Sequence, residues 1–97
     1  MSVHVADAPD EKRFEARDDA GELMGVSYYD VIGTTVAFTH TEVDEKFEGQ
    51  GVAATLTRAA LDDVRGRGFR VAALCPYVKA WIARHEDYQD LLTHSGR

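Results

Sequence analysis

Cysteine is nearly absent from this sequence: Cys75 stands alone among 97 residues. An intramolecular disulfide is therefore excluded, and nothing resembles a cluster of zinc ligands. Long apolar runs are lacking as well, and none approaches the ~20 residues of a membrane helix. Met1 to Glu11 is polar and acidic, without the apolar stretch of a signal peptide, so a cytoplasmic protein with no membrane partner is expected. Basic residues are in the minority, 11 Lys and Arg against 17 Asp and Glu, for a formal net charge of −6. A nucleic acid calls for a basic face, so none is expected as a partner. The same acidity suits a cationic acceptor such as an amine. Repeats, low-complexity tracts and linkers are missing too. What remains is one domain's worth of chain with 44% hydrophobic residues, enough for one core.

Residues 1–11 read as a flexible lead-in, 12–92 as a single domain and 93–97 as a C-terminal tail. Lys12 to Arg17 is expected to be a strand with Phe14 and Ala16 on one face. Asp18 to Glu22 has turn chemistry, with Asp first and Gly21 where φ turns positive. Leu23 to Ile32 is the second strand, with Val26, Tyr28 and Tyr29 as strand formers. Gly33-Thr34 makes a tight connection to a third strand, Thr35 to Val43. Simple alternation puts Val36, Phe38 and His40 on one face of it, and Ala37, Thr39 and Thr41 on the other.

The period then changes. Gly51 to Arg67 reads as a helix, because Val52, Leu56, Ala60 and Val64 recur at four-residue intervals. Gly66 and Gly68 end it. Phe69 to Leu74 is a nearly continuous apolar run, as suits a strand buried on both faces. Pro76 opens a second helix, where its missing N–H costs nothing. The expected fold is α/β (α+β), a four-stranded, mostly antiparallel sheet with two helices. The crossover from third to fourth strand should be right-handed and leave the two parallel. Ligands of such sheets sit at the carboxyl ends of the strands. His40, the Glu48-Gly49-Gln50-Gly51 loop and Cys75 converge there.

That loop joins a strand to a helix. Gly49 and Gly51 let the backbone approach a ligand, and the first N–H groups of the helix favour a phosphate. The alternative is a plain flexible helix entry. Neither a dinucleotide fingerprint nor a P-loop is present.

Glu48 to Ala53 resembles the acetyl-CoA pyrophosphate loop of the GNAT superfamily of N-acetyltransferases, Gln/Arg-x-x-Gly-x-Gly/Ala, with Gly51 and Ala53 at its last two fixed positions. Glu48 departs from the usual Gln or Arg. Cys75-Pro76-Tyr77, Trp81 and His85-Glu86-Asp87-Tyr88 follow in order and resemble the small YjdJ-type branch, with Glu86 in place of the usual Pro. The resemblance runs from about Phe14 to Leu91. It implies a truncated acetyltransferase core that binds acetyl-CoA. Glu48, Gly49, Gln50, Gly51, Val52 and Ala53 would hold the pyrophosphate, chiefly through the backbone. Thr41 and Val43 would line the pantetheine arm. The helices that cover the acceptor in larger relatives have no room here.

Three side chains are candidates for chemistry. Cys75 lies between a strand and the positive end of a helix, where a thiol is favoured as a nucleophile; it reads equally as a small buried hydrophobe. His40 is a candidate base toward an amine or toward Cys75, the alternative being a rim residue of the core. Tyr77, just inside the second helix, would protonate the departing CoA thiolate by family analogy, or simply pack its ring. No metal is expected. The expected activity is acetyl transfer from acetyl-CoA to an amine, either a small amine or a protein lysine. The alternative is a CoA- or acyl-CoA-binding module without catalysis, serving as a sensor or interaction domain. The sequence does not name the acceptor or the oligomeric state.

Overall fold

The computed structural model describes residues 2–93. Five strands form one sheet in chain order: β1 (His4–Ala8), β2 (Arg13–Arg17), β3 (Leu23–Ile32), β4 (Thr35–Val43) and β5 (Arg70–Ala73). The first four are an antiparallel meander, and β5 returns parallel to β4 after the helix α1 (Val52–Gly66). A second helix, α2 (Pro76–Ala83), follows β5, and a 3-10 segment over Glu86–Leu91 closes the described chain. Among the described residues no helix is long and apolar enough to cross a membrane, and no group of side chains is arranged to hold a metal ion.

The sheet has one strand more than the four expected. Residues 4–8, assigned to a flexible lead-in, pair with β2 along their whole length. Val5 opposes Ala16 and Asp7 opposes Phe14, so both point to the core side. Asp7 is polar in the sequence but functions as a core anchor. It accepts a hydrogen bond from the Tyr29 hydroxyl at 2.5 Å and pairs with Arg67 at 2.9 Å. Arg67 in turn holds Asp63 at the end of α1. Of the expected tail, residues 94–97 lie outside the described residues.

The core lies on one face of the sheet. Phe14, Tyr29, Val36, Phe38 and Val71 supply the sheet side; Val52, Leu56, Ala60, Leu61 and Val64 of α1 and Val78, Trp81 and Ile82 of α2 supply the helix side. The helical stripe read from the sequence is thus the buried stripe. The opposite face carries Arg13, Glu15, Tyr28, His40 and Glu42, joined by an Arg13–Glu15–Arg17 ion network. This one-sided burial corrects the expectation for β5. Val71 is buried, whereas Arg70 is exposed and Leu74, just past the strand, is 66% exposed.

Two local irregularities position the site. The first is Gly25 in β3. A Cβ there would lie 2.8 Å from the Glu42 carbonyl oxygen and 3.3 Å from Val52 Cγ1. Glycine lets the β4 backbone at Glu42, and behind it the first turn of α1, come this close to β3. The second is a bulge in β4. Tyr28 pairs with His40 and Tyr29 with Phe38, so Thr39 is the extra residue.

Candidate functional site

β4 and β5 pair only over Thr35–Phe38 and Arg70–Ala73. They then separate, because the Phe38 carbonyl accepts from both the Leu74 and the Cys75 N–H groups, at 3.0 and 2.8 Å. The chain turns away at that fork into α2. Beyond it, Thr39 to Val43 has no strand partner on the β5 side among the described residues. At ~3.4 Å per residue, this open edge is about 17 Å long.

The open edge leads to the glycine loop. Asp44 caps the 3-10 turn Glu45–Phe47 by accepting from the Lys46 N–H, and Phe47 is buried as its anchor. Gly49 and Gly51 then adopt φ of +83° and +75°. Both values favour glycine, and a Cβ at either position would meet nothing within 4 Å, so conformation and not space demands glycine here. Gly51 is the N-cap of α1 and supplies no side chain to cap it, and the first turn contains no acidic residue. The first N–H groups and positive end of a 15-residue helix therefore face the loop with no side-chain cap and no carboxylate in the first turn. A cavity of about 250 Å³ lies there, lined by Val43, Glu48, Gly49, Gly51, Ala53 and Tyr77 among others. Gln50 is exposed within the loop, whereas Val52 is buried.

The bulge decides which candidates meet. Ser27 pairs with both Phe14 and Thr41, which places Thr41 on the core face. The Thr41 hydroxyl lies 3.3 Å from Cys75 Sγ. His40 goes to the opposite face, where its ring stacks on Tyr28 and its Nε2 bonds Glu42 at 2.9 Å. Were Thr39 an ordinary paired residue rather than a bulge, His40 would share the face of Phe38, as simple alternation has it. The structure thus does not bring His40 and Cys75 together; it brings Thr41 and Cys75 together. Cys75 is 2% exposed and Thr41 is half-buried. Tyr77 is half-buried, and burial raises the pKa of its phenol above the ordinary value, so it keeps its proton at neutral pH.

Sequence reasoning missed the Thr41–Cys75 contact and the close approach at Gly25. The second had a signal: a lone glycine inside a strand pattern marks close backbone approach. His85, two residues past α2, stacks on Trp81 with ring centroids 3.7 Å apart, and its Nδ1 lies 2.6 Å from the Trp81 carbonyl.

Known proteins resemble this chain in sequence and in fold. Residues 13–91 match the sequence profile of the family described as GCN5-related N-acetyl-transferase. Protein NATD1 of Danio rerio is 30% identical, over 97% of this chain and 90% of its own length. Protein NATD1 of Xenopus tropicalis is 29% identical, over 84% of this chain and 75% of its own. Among solved structures, a GCN5-like putative N-acetyltransferase from Staphylococcus aureus superposes with a TM-score of 0.73 at 23% identity, covering 100% of this chain and 95% of that one. The GNAT-family protein YhbS of Escherichia coli, solved in complex with CoA, gives 0.57 at 28% identity, with 79% of this chain and 44% of that one covered.

Proposed function

We propose that this chain, which belongs to the GCN5-related N-acetyltransferase family, transfers an acetyl group from acetyl-CoA to an amine. One observation carries the reading: the unpaired edge of β4 runs into the uncapped N-terminus of α1 at the glycine loop. A cofactor with an extended amide-bearing arm and a pyrophosphate has a use for both. The N–H groups following Gly51 would bind the pyrophosphate. The arm's amides would pair with the free backbone of Thr41 and Val43, as an added strand does. YhbS, which shares this fold, is seen with CoA.

The arm then ends near the fork, beside Thr41, Cys75 and Tyr77. In the direct route the amine nitrogen attacks the thioester carbonyl, and the C–S bond breaks. The amine's proton goes to a base, and the CoA sulfur leaves as thiolate and takes a proton. Tyr77, which lines the loop cavity, is the candidate to supply that proton. His40 with Glu42 suits the base toward an amine arriving over the open sheet face. In a two-step route Cys75 Sγ gives up its proton to a base and attacks the thioester carbonyl, the C–S bond to CoA breaks and the CoA sulfur leaves with a proton; the amine then attacks the acetyl group on Sγ, that C–S bond breaks, and Sγ takes back a proton as the amine loses one. The acceptor class, a small amine or a protein lysine, belongs to this proposal, as do a place in the YjdJ-type branch and a cytoplasmic setting.

The test is thermal unfolding with and without acetyl-CoA in two matched variants, Gly51→Asn and Gly51→Asp. Asn and Asp both tolerate positive φ, so the pair differs mainly in charge. At ~100 times the dissociation constant a ligand adds about 2.7 kcal/mol, several degrees in a domain this size. The wild type and Gly51→Asn should show that rise, and Gly51→Asp should lose most of it. No rise in the wild type at millimolar acetyl-CoA would overturn the reading. Turnover with amines then separates an enzyme from a CoA-binding module.

A further inference from the structure

Two hydroxyls on the core face near the fork are not explained by packing. Ser27 is 1% exposed, and its Oγ has no hydrogen-bond partner among the described residues. A buried hydroxyl left unpaired is costly and calls for a reason. Thr41 is its register partner on β4, so the two side chains stand side by side on one face. The Thr41 hydroxyl in turn meets Cys75 Sγ at 3.3 Å. Ser27, Thr41 and Cys75 thus form a polar row running from β3 across β4 to the start of α2. Cys75 is the N-cap of α2 but makes no side-chain cap bond, so its sulfur is turned to Thr41 and not to the helix.

The row has a direction. A thiolate accepts and cannot donate, so a thiolate on Cys75 fixes Thr41 as the donor. The Thr41 oxygen is then free to accept, and the hydroxyl beside it is the group that can donate. Cross-strand Thr–Ser pairs bond in this way. Each donor in such a chain polarises the next and strengthens the bond to the charge. Charged groups that could do the same work face elsewhere. His40 and Glu42 of β4 bond each other on the opposite face of the sheet. The core phenols Tyr29 and Tyr88 are bonded to Asp7 and Asp62. On α2, Tyr77 is half-buried and Lys79 is exposed. The buried side chains of α1 and β5 carry no charge.

We propose that Thr41 is the positioning residue for a Cys75 thiolate, with Ser27 behind it: the Thr41 hydroxyl donates to Sγ, and the Ser27 hydroxyl turns to donate to Thr41 as the charge forms. Only the S–H bond breaks. The thiol proton leaves to the base of the two-step route, and both hydroxyl protons stay on their own oxygens. This rests on that route, in which Sγ ionises before it attacks the thioester, and it accounts for the unpaired hydroxyl at position 27.

The experiment is a pH titration of the full chain carrying 13Cβ-labelled cysteine, followed by NMR. Cys75 is the sole cysteine, so one signal reports its ionisation, with no cofactor present. Thr41→Val keeps the outline of the side chain and removes the donor. It should raise the midpoint by at least about one pH unit, a tenfold loss of thiolate at fixed pH, because hydrogen bonds to charged groups are the stronger ones. Thr41→Ser should keep the wild-type midpoint. Ser27→Ala should raise it by less, with the melting temperature unchanged or higher, since an unpaired buried group has been deleted. An unchanged midpoint in Thr41→Val would overturn the assignment, as would a wild-type thiol still protonated at about pH 10, well above the ordinary thiol value of about 8.5. Should Thr41→Val fail to fold, Ser27→Ala decides, because removing an unpaired group does not endanger the fold; an unchanged midpoint there overturns the row. Full transfer activity in Cys75→Ala would instead overturn the two-step route, and the titration, read without acetyl-CoA, keeps the two failures apart.

Discussion

The Tyr29 phenol sets up a prediction with an unusual pH signature. Tyr29 is 7% exposed and donates to Asp7, which also receives Arg67. Burial first, and then the Asp7 carboxylate, push its pKa from 10.0 up to about 12. In the unfolded chain the phenol ionises near 10, whereas in the fold it holds its proton two units longer. The stability this confers is therefore complete below pH 10 and is lost as pH rises toward 12. Tyr29→Phe removes the titration and the hydrogen bond together. Near pH 8 the variant should be less stable by about 1 kcal/mol, the net worth of an ordinary hydrogen bond. By pH 11 the wild type has given up about 1.4 kcal/mol of its Tyr29 term and the variant none of it, so the two should be close to equal or reversed. Urea unfolding at pH 8 and at pH 11 reads the difference directly. Every other ionisable side chain is common to the two proteins, so its contribution cancels in the comparison. A stability gap that stays constant between the two pH values would refute the coupling of Tyr29 to Asp7.

Further predictions concern the site. Gly25→Ala should destabilise the fold by about 1–3 kcal/mol, as overpacking does, and lower the melting temperature accordingly. It should also weaken acetyl-CoA binding, because the groups an added Cβ would press on are the Glu42 carbonyl of β4, at 2.8 Å, and Val52 in the first turn of α1, at 3.3 Å; a loss of stability with cofactor affinity unchanged would show that Gly25 does not hold the loop. For the chemistry, Cys75→Ala with full amine-transfer activity would exclude the two-step route, whereas loss of turnover with acetyl-CoA binding retained would support it. His40→Gln should lower turnover with little change in acetyl-CoA affinity, since His40 lies on the face away from Cys75; unchanged turnover would remove it as the base.

Much of the fold was legible because local pattern and burial agree. Leu23–Ile32 and Thr35–Val43 are strands with the bounds the sequence predicts, and Pro76 opens α2 where expected. The stripe Val52, Leu56, Ala60 and Val64 is buried as its spacing predicts. Legibility fails where a residue's role depends on a distant partner. His4–Ala8 reads as polar tail because Asp7 looks solvated, and only Tyr29 and Arg67 make it a core group. The bulge at Thr39 leaves no mark, since threonine is an ordinary strand residue with no special backbone demand. One uncounted residue then assigns His40 and Thr41 to the wrong faces. For the same reason Cys75 was visible as a reactive candidate, but its neighbour was not.

The fork at Phe38 also bears on how the molecule assembles. The strands before it pair with their chain neighbours, which need only short loops to close. The β4–β5 pair, by contrast, forms only after the whole segment from Asp44 to Phe69 has been laid across the sheet. Closing a long segment costs more chain entropy and belongs to the slow part of folding. The opening at the fork is thus expected to form late as the chain folds, and a substitution at Phe38 that speeds unfolding while leaving the folding rate unchanged would bear this out. A cofactor bound there has nothing to hold in a half-formed chain, so its effect falls on the rate of unfolding and leaves the rate of folding nearly untouched.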